Sequence, residues 1–369
     1  MARHAEAHVP RRSRKPKPAT TAAVAAAAAA SLLAGCSSGE DQERPGNPGP
    51  VKPSQSKSDA PSASPTPSAT PSAEPGAFSP YVDTLLKPSY DLIKGAEETG
   101  VKEYNLAFVS PGGGCEPKWG GRQELGDNPV ARQVAALRAK GGDVRVSFGG
   151  QSGRELARAC GSVPELVTAY RKVIDAYDLT KADFDIEGPA LTDTKANSLR
   201  ARAIARLQQQ HKDLDVSVTL PVLPSGLNRH AVAVLENAKK NGARISGVNI
   251  MAMDYGTYYD GDMGKYAIAA ATATQKQVKA ALGIRSEAQA WKTVSVTPMI
   301  GVNDVKAEVF RPDDAAELKR FAEKKRLGRL SMWSVTRDKA CPGGAKPTAM
   351  ATCSSIGKSA NEFVRAFTG

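Results

Sequence analysis

The 369-residue chain reads as an α/β protein whose folded part is a (β/α)8 TIM barrel, preceded by a signal peptide and a disordered Pro/Ser-rich linker. Three observations predict this. The chain starts with a cation-headed apolar segment; a Pro/Ser-rich stretch follows with almost nothing to bury; and after Phe78 short β-branched runs alternate eight times with helical patterns.

Residues 1–35 carry six cations (Arg3, Arg11, Arg12, Arg14, Lys15, Lys17) and one acid, Glu6, and end in the run AAVAAAAAASLLAG. That run is shorter than the about 20 apolar residues a membrane-spanning helix needs, so it reads as an export signal with the route left open. Leu33-Ala34-Gly35-Cys36 follows and resembles the lipobox of bacterial lipoproteins, whose cysteine is acylated and becomes the first residue of the mature chain. The resemblance implies an exported protein, anchored through a lipid on Cys36 to the outer face of the cell membrane or released to the medium. Loss of residues 1–35 would lower the formal charge from +12 to +7. Aromatic residues are not interleaved with a basic stripe, which argues against nucleic acid as a partner, and a monomer is expected.

With Cys36 acylated, four cysteines remain. In an exported chain an even number favours disulfides, and the closeness of Cys341 to Cys353 suggests that pair together with Cys115 and Cys160. No CxxC pair or histidine cluster calls for zinc, and no metal is predicted. Residues 36–77, including SASPTPSATPSAEPG, cannot offset their ordering entropy and read as a disordered tether. The barrel then occupies residues 78–369.

Its strands are predicted at Pro80–Thr84, Tyr104–Val109, Asp143–Phe148, Ala182–Glu187, Asp215–Leu220, Ser246–Met251, Thr293–Met299 and Leu330–Val335. Asn128 and Pro129 open a helix that ends near Gly141. Ser162 and Glu165 form a capping box with Pro164 in the first turn. Further helices are expected over Thr194–His211, Arg229–Asn241, Thr274–Leu282, Asp313–Arg326 and Ala360–Phe367. A doubly wound open sheet is the alternative, but no GxGxxG or phosphate loop follows the first strand.

The segment Ala182-Asp183-Phe184-Asp185-Ile186-Glu187-Gly188 carries the chemistry. Strand side chains alternate faces, so Asp183, Asp185 and Glu187 share one face while Phe184 and Ile186 share the other. A closed barrel gives such a face no open edge, so the acids must perturb one another. Repulsion from Asp183 and Asp185, with partial burial, is expected to raise the pKa of Glu187 and keep it protonated as a general acid. A solvated acidic face and a metal-binding carboxylate set are the competing readings.

This segment resembles the signature of glycoside hydrolase family 18, the chitinase family: Asp-Gly-x-Asp-x-Asp-x-Glu at the end of the fourth barrel strand. Asp183, Asp185 and Glu187 match its last three acids, while Thr180-Lys181 replace the opening Asp-Gly. Ser147-Phe148-Gly149-Gly150 matches the family's Ser-x-Gly-Gly, where glycines let the third strand crowd the catalytic one. Met251-Ala252-Met253-Asp254-Tyr255 resembles Met-x-Tyr-Asp. Its tyrosine position is Met253, and Tyr255 is the candidate substitute. Trp333 falls where the family places a tryptophan beneath the cleaved sugar.

The resemblance implies catalytic roles for Glu187, Asp185 and Asp183, and substrate contacts by Ser147, Gly149, Gly150, Met251, Asp254, Tyr255 and Trp333. It further implies retaining, substrate-assisted cleavage of β-1,4-linked N-acetylglucosamine in chitin or its oligosaccharides, with no cofactor. Trp119, Tyr258, Tyr259 and Trp291 are further candidates for a cleft. The rival functions are a non-catalytic N-acetylglucosamine-binding lectin on the same barrel and an endo-β-N-acetylglucosaminidase acting on glycans.

Overall fold

The computed structural model describes residues 76–151, 155–357 and 359–369; the predicted signal, Cys36 and the tether up to residue 75 lie outside the described residues. In chain order the strands are β1 (Ala77–Phe78), β2 (Tyr81–Asp83), β3 (Glu103–Pro111), β4 (Pro117–Trp119), β5 (Asp143–Gly149), β6 (Lys181–Asp185), β7 (Asp215–Pro221), β8 (Gly247–Ala252), β9 (Val294–Pro298), β10 (Gly301–Val302), β11 (Val309–Phe310) and β12 (Arg329–Leu330). The helices are α1 (Leu92–Thr99), α2 (Val134–Ala139), α3 (Leu156–Ala159), α4 (Val163–Tyr177), α5 (Gly188–Thr192), α6 (Thr194–Gln210), α7 (Arg229–Lys240), α8 (Met263–Leu282), α9 (Glu287–Thr293), α10 (Pro312–Lys325) and α11 (Glu362–Thr368).

The main ladder runs β1-β12-β9-β8-β7-β6-β5-β3-β2, with every neighbour in that path parallel. Since β1 and β2 are successive pieces of one crossing, the path closes on itself. Ala77 and Phe78 pair with Arg329 and Leu330, and Tyr81–Asp83 then pair with Asn105–Ala107 on the other side. Pro80 lies at the change of partner, where its missing N–H costs nothing. The N–H groups of Ser79 and Tyr81 still bond to Leu330 and Met332, at 2.9 and 3.1 Å.

Side chains that alternate along the strands sort into two layers. Val216, Val218 and Leu220 face the helices, whereas Ser217 and Thr219 point into the barrel toward Asp183. Outside β6, Phe184 stacks on Phe148 at 5.2 Å and meets the edge of Tyr170 from α4 at 5.0 Å. The helices start where local chemistry starts them: Asp91, Ser162, Asp193, Asn228, Asp262 and Ser286 each accept a backbone N–H of the first turn. Gly283 ends α8 in the left-handed conformation at φ 69°. Both predicted disulfides are present, Cys115–Cys160 and Cys341–Cys353, with Cα separations of 4.6 and 5.0 Å.

Several boundaries differ from expectation. The strand expected over Ala182–Glu187 ends at Asp185, because Glu187 is already the N-cap of α5. The strand expected over Leu330–Val335 keeps ladder pairing only at Arg329 and Leu330, and residues 335–337 form a 3-10 turn. Thr293 closes α9 rather than opening β9. The helix expected from Thr274 starts eleven residues earlier, at Met263 after the Asp262 cap. The helix expected after Pro129 is a 3-10 turn over Ala131–Gln133 followed by the short α2. β4, which pairs antiparallel with β3, and the β10–β11 hairpin were not anticipated. Nor were α1, α5 and α9.

Candidate active site

The three acids of the β6 segment meet at the carboxyl end of the barrel. Asp183 and Asp185 are buried, and Glu187 is half-buried at the rim. Four hydroxyls converge on Asp183. Ser147 donates to Oδ2 at 2.7 Å and Tyr81 to the same oxygen at 3.1 Å; Ser217 donates to Oδ1 at 2.6 Å, and Thr219 lies 2.9–3.0 Å from both oxygens. Hydroxyl donors of this kind solvate a carboxylate in place of water. Asn249 extends the network by donating to Tyr81 Oη and Thr219 Oγ1 while accepting from Thr297, so five strands hold one acid in place.

Asp185 has no such support. Its Oδ1 lacks a hydrogen-bond partner among the described residues, while its side chain bonds to Glu187. Burial pushes the Asp185 carboxyl far above the usual carboxylate range, and the charges of Glu187 and Asp183 push it further. Two carboxyls in hydrogen-bond contact need a proton between them, so the pair titrates as a unit.

Glu187 is also raised, but not for the reason the sequence suggests. Burial is the main cause and the charge of Asp254 adds to it, whereas the hydrogen bond to Asp185 works in the opposite direction. Burial and Asp254, not repulsion from Asp183 and Asp185, are thus what raise Glu187.

Two small cavities flank Glu187. One, of about 100 Å³, is lined by Tyr81, Phe108, Met251, Met253, Asp254 and Trp333 among others. The second, of about 150 Å³, lies between Gly150, Arg158 and Pro189, and Asp185 and Glu187 border both. Trp333 stacks on Phe108 at 5.4 Å with only 20° between the rings, and Tyr81 leans on each at about 6 Å, making an aromatic wall beside the acids.

The expected substrate contacts divide accordingly. Met251, Asp254 and Trp333 line the mouth. Ser147 does not; it is fully buried and acts on Asp183. Gly149 and Gly150 are required by close approach. A Cβ on Gly149 would come within 2.1 Å of the Asp185 carbonyl, and one on Gly150 within 2.7 Å of the Phe108 ring. Gly149 therefore supports the catalytic strand instead of facing the opening, while Gly150 reaches the edge of the second cavity.

Tyr255 is misplaced as a substitute tyrosine. Its ring is buried against Tyr259 and Tyr266, away from the mouth. The cause is local: β8 ends at Ala252 and Asp254 turns left-handed at φ 51°, so strand alternation cannot be extended to the next residue. Trp119 is fully buried and donates from Nε1 to Tyr177; Trp291 packs on Phe321. Tyr258 is exposed and Tyr259 backs Tyr255, so none of these four lines the mouth. Phe108, Tyr81 and Asp304 line it without having been singled out in the sequence. Among the described residues, no group of three or more His, Cys, Asp or Glu is placed to hold a metal ion.

No family model matches the chain. Among curated proteins it is 36% identical over 281 residues to a probable bifunctional chitinase/lysozyme of Escherichia coli, covering 72% of this chain and 31% of that protein. It is 34% identical over 276 residues to endochitinase 11 of Metarhizium anisopliae, covering 71% of this chain and 52% of that one. The chain thus spans about a third and about half of the length of these two relatives. Among solved structures it superposes on the catalytic domain of a hyperthermophilic chitinase from Pyrococcus furiosus with a TM-score of 0.72 and 32% identity, covering 81% of this chain and 97% of that one. With acids, glycine pair and aromatic wall placed together at the carboxyl end of a closed barrel, and a near-complete match to that catalytic domain, the chain belongs to the chitinase family, glycoside hydrolase family 18.

Proposed function

We propose that the protein hydrolyses β-1,4 linkages between N-acetylglucosamine units of chitin or chitin oligosaccharides, with retention of configuration and with the substrate's own acetamido group as nucleophile. The observation that carries this reading is the half-buried Glu187, bordered by two cavities and raised above the usual carboxylate range by burial, beside an Asp185 that burial raises further. A relative of the same fold, the Pyrococcus furiosus domain, has been solved with chito-oligosaccharides.

In the reaction the scissile oxygen lies against Glu187, which gives it its proton as the C1–O bond breaks. The acetamido carbonyl oxygen closes on C1 and forms an oxazolinium, so the leaving sugar departs with the proton from Glu187. Asp185 accepts the acetamido N–H and stabilises the cation. It can do so only as a carboxylate, so its proton passes toward Asp183, whose four hydroxyl neighbours can reorient to receive it. Water then attacks C1 while Glu187, now a carboxylate, takes the water's proton and is restored. Trp333 and Phe108 offer an apolar floor for the sugar face.

Glu187→Gln is expected to lower kcat on chitin oligosaccharides by about a thousandfold, within the range of general acid catalysis, with binding kept; unchanged turnover would overturn the reading. Proton NMR of fresh product should show the β-anomer first, and an initial α-anomer would exclude retention. An oligosaccharide carrying a free amine in place of the acetamide at the cleaved unit should resist hydrolysis.

The same proposal includes export and a lipid on Cys36, resting on Leu33-Ala34-Gly35-Cys36. It also includes a monomeric barrel. Cys36→Ala should move the protein from the detergent phase to the aqueous phase on partitioning, and gel filtration with light scattering reads the oligomeric state.

A further inference from the structure

At the end of the barrel opposite the acids lies the larger opening, about 730 Å³, formed where β7, β8, β9 and β12 begin. Five cations line it: Lys239, Arg244, Lys292, Arg326 and Arg329. The carboxylate in its wall is Asp215, and that charge is already committed. Arg145, itself buried, holds it at 2.9 Å from inside the barrel. None of the five cations forms an ion pair with a carboxylate of the described residues, although twelve such pairs occur elsewhere among them. Arg329 is the most confined of them, and burial together with the Arg145 charge lowers its guanidinium pKa to about 10.

Lys239, Arg244, Lys292 and Arg326 are exposed around the opening while Arg329 is half-buried within it, so positive charge converges on a concave surface that an anion could complete. The donors are also of the right kind. Guanidinium forks and ammonium groups on a curved wall suit tetrahedral oxyanions, which accept several charge-assisted hydrogen bonds at once.

We propose that this opening is a second binding site, distinct from the sugar-cleaving centre, that takes a phosphate-bearing anion carrying more than one charge. Close by, the Gly76 N–H bonds to the carbonyl of Leu327, which lines the opening. Phosphate there could be free in solution or fixed in an anionic lipid surface.

Two probes separate these sources: inorganic tripolyphosphate by isothermal titration calorimetry, and vesicles of phosphatidylglycerol against phosphatidylcholine by co-sedimentation, both with the purified protein lacking residues 1–35 and at two salt concentrations. Tripolyphosphate is expected to bind saturably, and the double variant Lys239→Glu with Lys292→Glu to weaken it about tenfold or more, the scale of one or two charge-assisted hydrogen bonds lost. Both side chains are exposed, and hydrolysis of chitin oligosaccharides at the wild-type rate certifies that the variant is folded. A matched control, Lys195→Glu with Arg202→Glu on the exposed face of α6, changes net charge equally and should leave binding intact. Retention on phosphatidylglycerol vesicles, lost in the first variant and kept in the control, assigns the site to a lipid surface. Tripolyphosphate binding without vesicle retention assigns it to a free anion. Failure of both probes to bind, or equal weakening by the control pair, overturns the proposal.

Discussion

Each end of the barrel holds an aspartate on one of two neighbouring strands, Asp185 buried at the mouth and Asp215 partly exposed at the floor, and the two are driven in opposite directions. Asp185, at the mouth, sits among other acids with one oxygen unpartnered and is pushed far above the usual carboxylate range by burial. Asp215, at the floor, meets Arg145 and Ser246 and is held well below that range, burial being outweighed by the Arg145 charge together with the hydrogen bonds from Arg145 and Ser246. The residue type is the same. What differs is whether the fold supplies an opposite charge, and that choice separates a proton-handling site from a structural clasp.

The largest effect should come from Asp185→Asn. It removes the group that changes charge during the reaction, so kcat is expected to fall by about a hundredfold or more, on the scale of lost acid–base catalysis. Stability should not fall with it. The folded pKa of Asp185 lies above its unfolded value, so this residue costs stability at neutral pH and ceases to do so as pH drops below the unfolded value. Calorimetry should find an unchanged or higher Tm, and a marked drop would show that Asp185 holds the fold together after all.

Asp215→Asn should do the reverse. Arg145 would lose its carboxylate partner, costing about 2 kcal/mol, less than a fully buried pair because Asp215 is 41% exposed at its side chain. The pH sign also reverses. A depressed folded pKa gives stability that is present above the unfolded value and is lost as pH falls through the folded one. Urea titrations at pH 7 and pH 3 should therefore find wild type and variant converging in acid, while kcat at pH 7 stays level.

Tyr81→Phe tests the mouth more gently. It removes one of the four hydroxyls on Asp183 and should cost about tenfold in kcat, the worth of one hydrogen bond to a charged group, with little change in KM. The smallest expected effect is a shift in the pH profile. Asp254 helps to raise Glu187, so Asp254→Asn should move the alkaline limb of kcat/KM to lower pH; an unmoved limb would leave burial as the sole cause.

Much of this architecture was legible from residues that repeat with strand period. The inward set Asp183, Asp185 and Glu187 could be read because alternation in β6 is regular and its outward partners, Phe184 and Ile186, are apolar. The stabilising hydroxyls of Tyr81, Ser217 and Thr219 could not. They arrive from strands far away in sequence, and nothing local distinguishes them from ordinary strand residues. The early part of α8 was missed because MGKYAIAAATA is alanine-rich and shows little contrast between faces. Tyr255 was misread because one left-handed residue, Asp254, ends the periodicity on which the reading relied. The cause of the Glu187 shift was likewise hidden, since the sequence orders the acids but does not tell which of them carries the proton.

The split first strand has a consequence for how the molecule is assembled. Its first half is hydrogen-bonded to Arg329 and Leu330, about 250 residues later in the chain, a sequence separation that places this seam among the slowest contacts to form. During synthesis the ring stays open until the last unit has emerged, and Ala77 and Phe78 must wait unpaired on that side. An insertion between Phe78 and Tyr81 would let the cylinder unzip along one line, while leaving every other staves-to-staves junction in place.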